Sequence, residues 1–377
     1  SIDGVIIDGD STSDFAARSV SAAGDINGDG IDDFIVNSPF GGDNASGSGE
    51  AYVIFGKTAG ALGTQQGNQT VIDLTNLDPL DGFLLRGQST GDNLGFPSAP
   101  VGDVNSDGFD DIIVSAVGVD NNGNADGAAF VLFGKNGSDF GTVGIDGRRA
   151  LDVTDIAPED GFVISGDGGG ADFFFLGRSV GGGGDVNGDG IDDVIVSMDR
   201  DGSAGLAAGA ALVIFGRQAE PFGDLVGGQR VIDSATVSAD QGFLILGDRI
   251  GDNFGSSVAI VGDMNGDGID DIAVGAPGGD DAGEAYVIFG QSDCQFGSPD
   301  AMGRQVIDLS AFNESEGLRF RGEPFEGNLG ESVASAGDVN ADGFADLIVG
   351  SIENDFPNFS ADVRVVLGGT EFDWVYG

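Results

Sequence analysis

The stretch "GDINGDGIDD" occupies residues 24–33 and sets four carboxylates, Asp25, Asp29, Asp32 and Asp33, close together. Like charges at such short range repel one another, so the stretch needs a compensating partner. It also recurs: "GDVNSDGFDD" at 102–111, "GDVNGDGIDD" at 184–193, "GDMNGDGIDD" at 262–271 and "GDVNADGFAD" at 337–346. The first Asp of each copy falls at 25, 103, 185, 263 and 338, giving spacings of 78, 82, 78 and 75 residues.

The repeat extends beyond the acidic core. Upstream lie "GVIIDG", "GFLLRG", "GFVISG", "GFLILG" and "GLRFRG"; downstream come "DFIVNSP", "DIIVSAV", "DVIVSMD", "DIAVGAP" and "DLIVGSI", then "EAYVIFG", "AAFVLFG", "AALVIFG", "EAYVIFG" and "DVRVVLG". Each unit holds four apolar segments of strand length, rich in Val, Ile and Phe and bounded by Gly and Asp. None has helical length or caps. Radially repeated four-stranded antiparallel units make a β-propeller. The expected fold is therefore all-β, a single five-bladed propeller over residues 1–377. Blade 1 covers about 11–87, blade 2 88–166, blade 3 167–247, blade 4 248–322, and blade 5 323–368 with 1–10, leaving 369–377 as a tail. A "VID"-type linker recurs only four times, at Val71–Asp73, Ala150–Asp152, Val231–Asp233 and Val306–Asp308. A ring of five cut once loses one linker, so the N-terminal "GVIIDG" is expected to close the last blade and protect its edge.

Written as D-x-N-x-D-G-x-x-D, the loop offers side-chain oxygens at positions 1, 3, 5 and 9 and a backbone carbonyl at position 7. The Gly at position 6 permits a sharp turn. Hard oxygen donors converging from one turn suit Ca²⁺ better than Mg²⁺, which demands a stricter octahedron. The candidate ligands are Asp25, Asn27, Asp29, the Ile31 carbonyl and Asp33; Asp103, Asn105, Asp107, Phe109 and Asp111; Asp185, Asn187, Asp189, Ile191 and Asp193; Asp263, Asn265, Asp267, Ile269 and Asp271; and Asp338, Asn340, Asp342, Phe344 and Asp346. About five Ca²⁺ are expected, one per blade. An EF-hand needs a Glu at position 12; here that position is Val36, Val114, Val196, Val274 and Val349. Position 8 is Asp in four copies and Ala345 in the fifth, and is read as dispensable for the metal.

Phe254-Gly255 before the fourth loop and Gly275-Ala276-Pro277 after it resemble the FG-GAP repeats of integrin alpha-subunit propellers and their bacterial relatives. Other units keep Leu94-Gly95, Leu176-Gly177 and Leu329-Gly330, and the first has Ala16-Ala17. The resemblance implies that the acidic loop joins strands 1 and 2 of each blade on one face and binds calcium structurally. Relatives of the integrin type have seven blades, whereas five are found here.

Composition bounds the function. The 377 residues carry 63 acidic and 15 basic side chains, a formal charge of −48, and no histidine. Such a chain is repelled by nucleic acid and anionic membranes, and it cannot build a Ser-His-Asp triad or a His-ligated zinc site. The single cysteine, Cys294, is read as an incidental small side chain. No apolar run is long enough to span a membrane. The chain starts at Ser1 and is read as a processed product or part of something longer.

The expected function is a calcium-stabilised, non-catalytic binding or adhesion module, or a rigid spacer of a larger surface protein. Its protein or glycan ligand is expected on the face opposite the acidic loops, which "FGGDNASGSG" (40–49), "GGDDAGE" (278–284), "QSTGDN" (88–93) and "GDRIGDN" (247–253) help to form. A lectin is the alternative, but there is one Trp and there are three Tyr, of which Tyr52 and Tyr286 look like core. A polysaccharide-degrading enzyme is the third class; its paired carboxylates are too abundant here to single out a site. Dependence on calcium places the chain outside the cell or on its surface, and scarce cysteine points to a bacterial source. The three phenylalanines of "SGDGGGADFFFLG" (165–177) interrupt the repeat and are a candidate contact if exposed.

Overall fold

A computed structural model describes the chain except for residues 1–3, 12–13, 59–61, 121–125, 167–173, 201–207, 219–220, 280–281, 293, 314, 323–326, 354–359 and 371–377. The Phe173 contact and most of the C-terminal tail therefore lie outside the described residues, as do the side chains of Phe174 and Phe175.

The strands follow the repeat. After β1 (Val5–Asp8), the first repeat supplies β2 (Ser19–Gly24), β3 (Asp33–Ser38), β4 (Glu50–Ile54), β5 (Thr64–Gln66), β6 (Gln69–Asp73) and β7 (Gly82–Arg86). The second supplies β8 (Leu94–Gly102), β9 (Asp111–Ala116), β10 (Ala128–Leu132), β11 (Thr142–Val143), β12 (Arg149–Asp152) and β13 (Gly161–Ser165). The third supplies β14 (Phe174–Gly182), β15 (Val194–Arg200), β16 (Ala210–Ile214), β17 (Asp224–Val226), β18 (Gln229–Asp233) and β19 (Gly242–Leu246). The fourth supplies β20 (Ser257–Gly262), β21 (Asp271–Ala276), β22 (Glu284–Ile288), β23 (Ser298–Pro299), β24 (Gln305–Asp308) and β25 (Gly317–Arg321), and the fifth β26 (Asn328–Gly337), β27 (Asp346–Glu353) and β28 (Ser360–Val366).

Four strands of each of the first four repeats form an antiparallel meander, such as β2-β3-β4-β7 and β20-β21-β22-β25. Their second and third strands are buried on both faces, which is why they read as unbroken apolar runs. The "VID" segments are more than linkers. Each is the second strand of a small hairpin, and it pairs in parallel with the outer strand of the preceding repeat: β12 with β7, β18 with β13 and β24 with β19. β1 pairs with β6 in the same way, with Val5 opposite Thr70 and Asp8 opposite Asp73. Among the described residues the fifth repeat is a three-stranded sheet, β26-β27-β28.

The described chain falls into two compact units, residues 1–168 with 219–233, and residues 169–218 with 234–377. Each has its own apolar core, built around Ile35, Val53, Phe83, Val114 and Phe130 in the first and Ile195, Val213, Phe243, Val274 and Ile288 in the second. Phenylalanine triads recur in both. Phe55, Phe83 and Phe140 meet in the first unit, with Phe83 and Phe140 stacked at 4.5 Å; Phe215, Phe243 and Phe296 meet in the second, with Phe243 and Phe296 stacked at 3.9 Å. Each triad ties the end of a third strand and its outer strand to the hairpin of the next repeat.

Candidate metal centres

Each acidic loop joins the first strand of a repeat to the second, as Gly24 of β2 and Asp33 of β3 show. Its backbone wraps around the first aspartate. Asp25 accepts the Asp29 N–H at 3.0 Å and the Gly30 N–H at 2.8 Å, Asn27 Oδ1 accepts the Asp29 N–H at 2.9 Å, and Asp29 accepts the Ile31 N–H at 3.0 Å. The second and fifth copies repeat the pattern, with Gly108 N–H on Asp103 and Gly343 N–H on Asp338 at 2.8 and 2.9 Å. So do the third and fourth, through Gly190 on Asp185 and Gly268 on Asp263. The position-6 glycines all have positive φ, from 85° at Gly30 to 95° at Gly108. That geometry explains the glycine in every copy.

Position 9 behaves differently from positions 1, 3 and 5. Asp111, Asp193, Asp271 and Asp346 are fully buried, and Asp33 nearly so. In four copies the carboxylate spans two backbone amides. Asp111 accepts from Val104 at 3.0 Å and Gly134 at 2.8 Å; Asp193 from Val186 and Gly216, both at 2.8 Å; Asp271 from Met264 at 2.9 Å and Gly290 at 3.0 Å; Asp346 from Val339 at 2.8 Å and Gly368 at 2.9 Å. This residue fastens the loop to the end of the third strand. Burial pushes Asp111 and Asp193 up to about 8 and Asp33 and Asp271 up to about 7; the backbone donors oppose that, and the loop's other two aspartates add to it. In the first copy Gly56 N–H reaches Asp33 Oδ1 at 2.7 Å, while Asp33 Oδ2 is buried with no hydrogen-bond partner. A buried carboxylate oxygen without a donor fits a cation. The donor set is thus of the right chemistry for Ca²⁺. Among the described residues, however, the groups of three carboxylates that converge within 4.8 Å lie elsewhere, at Asp10, Asp43 and Glu50 and at Asp248, Asp252 and Glu284.

Positions 7 and 8, the second of them read as dispensable for the metal, join repeats. Asp110 Oδ2 accepts the Asp25 N–H of the preceding loop at 2.7 Å, and Asp270 Oδ2 accepts the Asp185 N–H at 2.9 Å. The rings of Phe109 and Phe344 cover Gly28 and Gly266 of the preceding loops so closely that a Cβ there would lie 2.3 Å from a ring carbon. Nothing in one copy of the motif signals these roles; they depend on which loops become neighbours.

At the other end of the strands, Phe254 is buried and Gly255 has a φ of 88°. Leu94-Gly95 and Leu329-Gly330 reproduce the pair, with φ of 86° and 92° at the glycines. Ala17 holds the same left-handed conformation at 65° despite its Cβ. Gly275 packs against the Gly330 carbonyl, 1.9 Å from where a Cβ would stand. Tyr52 and Tyr286 are buried as expected, but each hydroxyl is bound to carboxylates. Nearby, Phe15 and Phe40 are exposed and meet edge to face at 5.4 Å.

Comparison with known proteins agrees with this geometry. Residues 16–54, 254–288 and 329–351 match the FG-GAP repeat. The chain is similar to mouse integrin alpha-IIb, at 32% identity over 173 residues, which is 44% of this chain and 14% of that protein. It is similar to integrin alpha pat-2 of Caenorhabditis briggsae, at 31% over 193 residues, 50% of this chain and 14% of the relative. Integrin alpha-PS5 of Drosophila melanogaster is 36% identical over 110 residues, 28% of this chain and 9% of that protein. The chain thus carries FG-GAP repeats, and its matched part spans a small fraction of the integrin alpha subunits it resembles.

Proposed function

We propose that this chain of FG-GAP repeats is a calcium-stabilised, non-catalytic adhesion or ligand-binding module that works outside the cell or at its surface. The observation that carries it is the conjunction of FG-GAP matches with five acidic loops folded on one plan. The ions sit at the five loops, held by positions 1, 3, 5 and 9 and the position-7 carbonyl. Calcium neutralises part of the loop charge and stiffens the turns on which neighbouring repeats lean. The five repeats close into one propeller, with β1 as the fourth strand of the last blade. Supporting that closure, β1 takes the same kind of parallel partner as the outer strands β7, β13 and β19, and Val5 and Ile6 of β1 and Val363 and Val365 of β28 are exposed. No helix among the described residues is long and apolar enough to cross a membrane.

The ligand surface lies at the end opposite the loops. The exposed Phe15–Phe40 pair favours a protein ligand over a sugar there, because large aromatics supply contact area at low entropic cost. The first test is a melting curve in EDTA and in CaCl₂ with a metal count per chain. About one ion per loop and a clear upward shift with calcium are expected. Asp29→Ala or Asp267→Ala should lower the melting temperature in calcium and leave it unchanged in EDTA. Equal losses in both buffers would remove the ligand assignment.

A further inference from the structure

A second carboxylate cluster stands at the far end of the strands from the first acidic loop. Glu50 lies opposite Ser38 in the β3–β4 register, and the loop enters β3 at Asp33. Five residue steps of strand separate the two ends, roughly 16 Å. Ligand atoms of Asp10, Asp43 and Glu50 lie within 4.8 Å of one another. The Asp43 N–H donates to Glu50 at 2.8 Å, and the Tyr52 hydroxyl donates to Asp10 at 2.6 Å and to Glu50 at 3.2 Å. Asp14, 3% exposed, faces the Asp10 carboxyl. Asp10 Oδ1 and Asp14 Oδ2 are both buried without a hydrogen-bond donor.

Among the described residues, Arg148 is the cation paired with this group. Arg148 pairs with Asp10 at 3.2 Å, with Asp43, and with Asp146 at 2.9 Å. A single guanidinium thus reaches Asp10, Asp43 and Asp146. The fourth repeat builds the same frame with more arginines, and Asp252 Oδ2 is likewise buried without a donor. There Asp248, Asp252 and Glu284 cluster beside Tyr286. Arg319 pairs with Asp248 at 3.1 Å and Glu284 at 2.6 Å, Arg321 with Glu284 at 3.2 Å, and Arg249 stands 3.8 Å from Asp248. Arg319 is opposite Tyr286 in the strand register; the equivalent residue opposite Tyr52 is Leu84. Arg86, the counterpart of Arg321, pairs with Asp152 at 2.8 Å instead. Ser11 follows Asp10 where Arg249 follows Asp248. The first cluster keeps the carboxylates of the fourth, lacks two of its arginines, and has the third turned to Asp152.

We propose that Asp10, Asp14, Asp43 and Glu50 hold a divalent cation of the hard, oxygen-seeking kind, Ca²⁺, at a site separate from the acidic loops. The ion takes the place of the missing guanidinium groups, and the orphaned oxygens of Asp10 and Asp14 are its ligands. It lies beside the Phe15–Phe40 pair, as the Phe40 N–H donates to the Asp14 carbonyl.

Tyr52 makes the site measurable, because a phenol in contact with the ligands sensitises Tb³⁺ bound among them. The full chain is titrated with Tb³⁺ while tyrosine is excited. Sensitised emission is expected, quenched by added Ca²⁺. It should be lost in Tyr52→Phe, which keeps every carboxylate, and in Asp14→Asn and Glu50→Gln. It should persist in Tyr286→Phe and in the loop variant Asp29→Ala, so failure of the loops and failure of this site are told apart. Leu84→Arg, importing the fourth repeat's solution, should also abolish it; circular dichroism checks that each variant is folded. Absent emission in the unaltered chain, or emission unchanged in both Tyr52→Phe and Asp14→Asn, overturns the site and leaves Arg148 with a shared proton as the compensation.

Discussion

The aspartates of the acidic loops divide into two jobs that one motif conceals. Asp107 sits on the exposed turn, whereas Asp111 is buried and receives the Val104 and Gly134 amides. Removing a buried acceptor strands its donors, at about 1–3 kcal/mol for each. Asp111→Ala is therefore expected to destabilise the chain by roughly 2–5 kcal/mol with or without calcium, measured by denaturant unfolding in CaCl₂ and in EDTA. Asp107→Ala should cost stability only in calcium. The oxygen-bearing positions were visible because five copies spelled them out. The clamping role of position 9 was not, since one donor of each clamp lies just past the third strand, 19 to 23 residues away.

Strands were readable as elements because their apolar runs are bounded by Gly and Asp. The hairpins that follow the third strands were not. β5 is Thr-Gln-Gln and fully exposed, and β11 and β23 are two residues long, so no alternation marks them. Their anchor was present in the sequence as a phenylalanine before the hairpin, Phe140, Phe222 and Phe296, but its meaning depends on stacking against an outer strand. The FG and GAP glycines are likewise contacts between elements. Gly275 on β21 touches the backbone of Gly330 on β26. Backbone cannot yield as a flexible side chain can, so Gly275→Ala is expected to cost about 1–3 kcal/mol or more. Thermal unfolding of the variant measures it; a change within error would mean that β26 can move away freely.

Across the whole molecule the carboxylates create a pH dependence that calcium should reverse. In the metal-free chain burial raises Asp111 and Asp193 to about 8 and Asp33, Asp271 and Glu50 to about 7. Unfolded carboxylates titrate near 4. Between about pH 4 and pH 8 the folded chain binds more protons than the unfolded one, so its stability falls as pH rises through that window. Groups whose folded value is raised contribute fully below their unfolded value and lose that contribution on passing the folded one. Calcium needs the ionised forms and displaces those protons, so its affinity rises with pH. The melting temperature in EDTA is thus expected to decline from pH 5 to pH 8, while the shift on adding CaCl₂ grows over the same range. A flat EDTA profile would mean that the buried aspartates are ionised without metal, and that their backbone amides alone balance the charge packed into each loop.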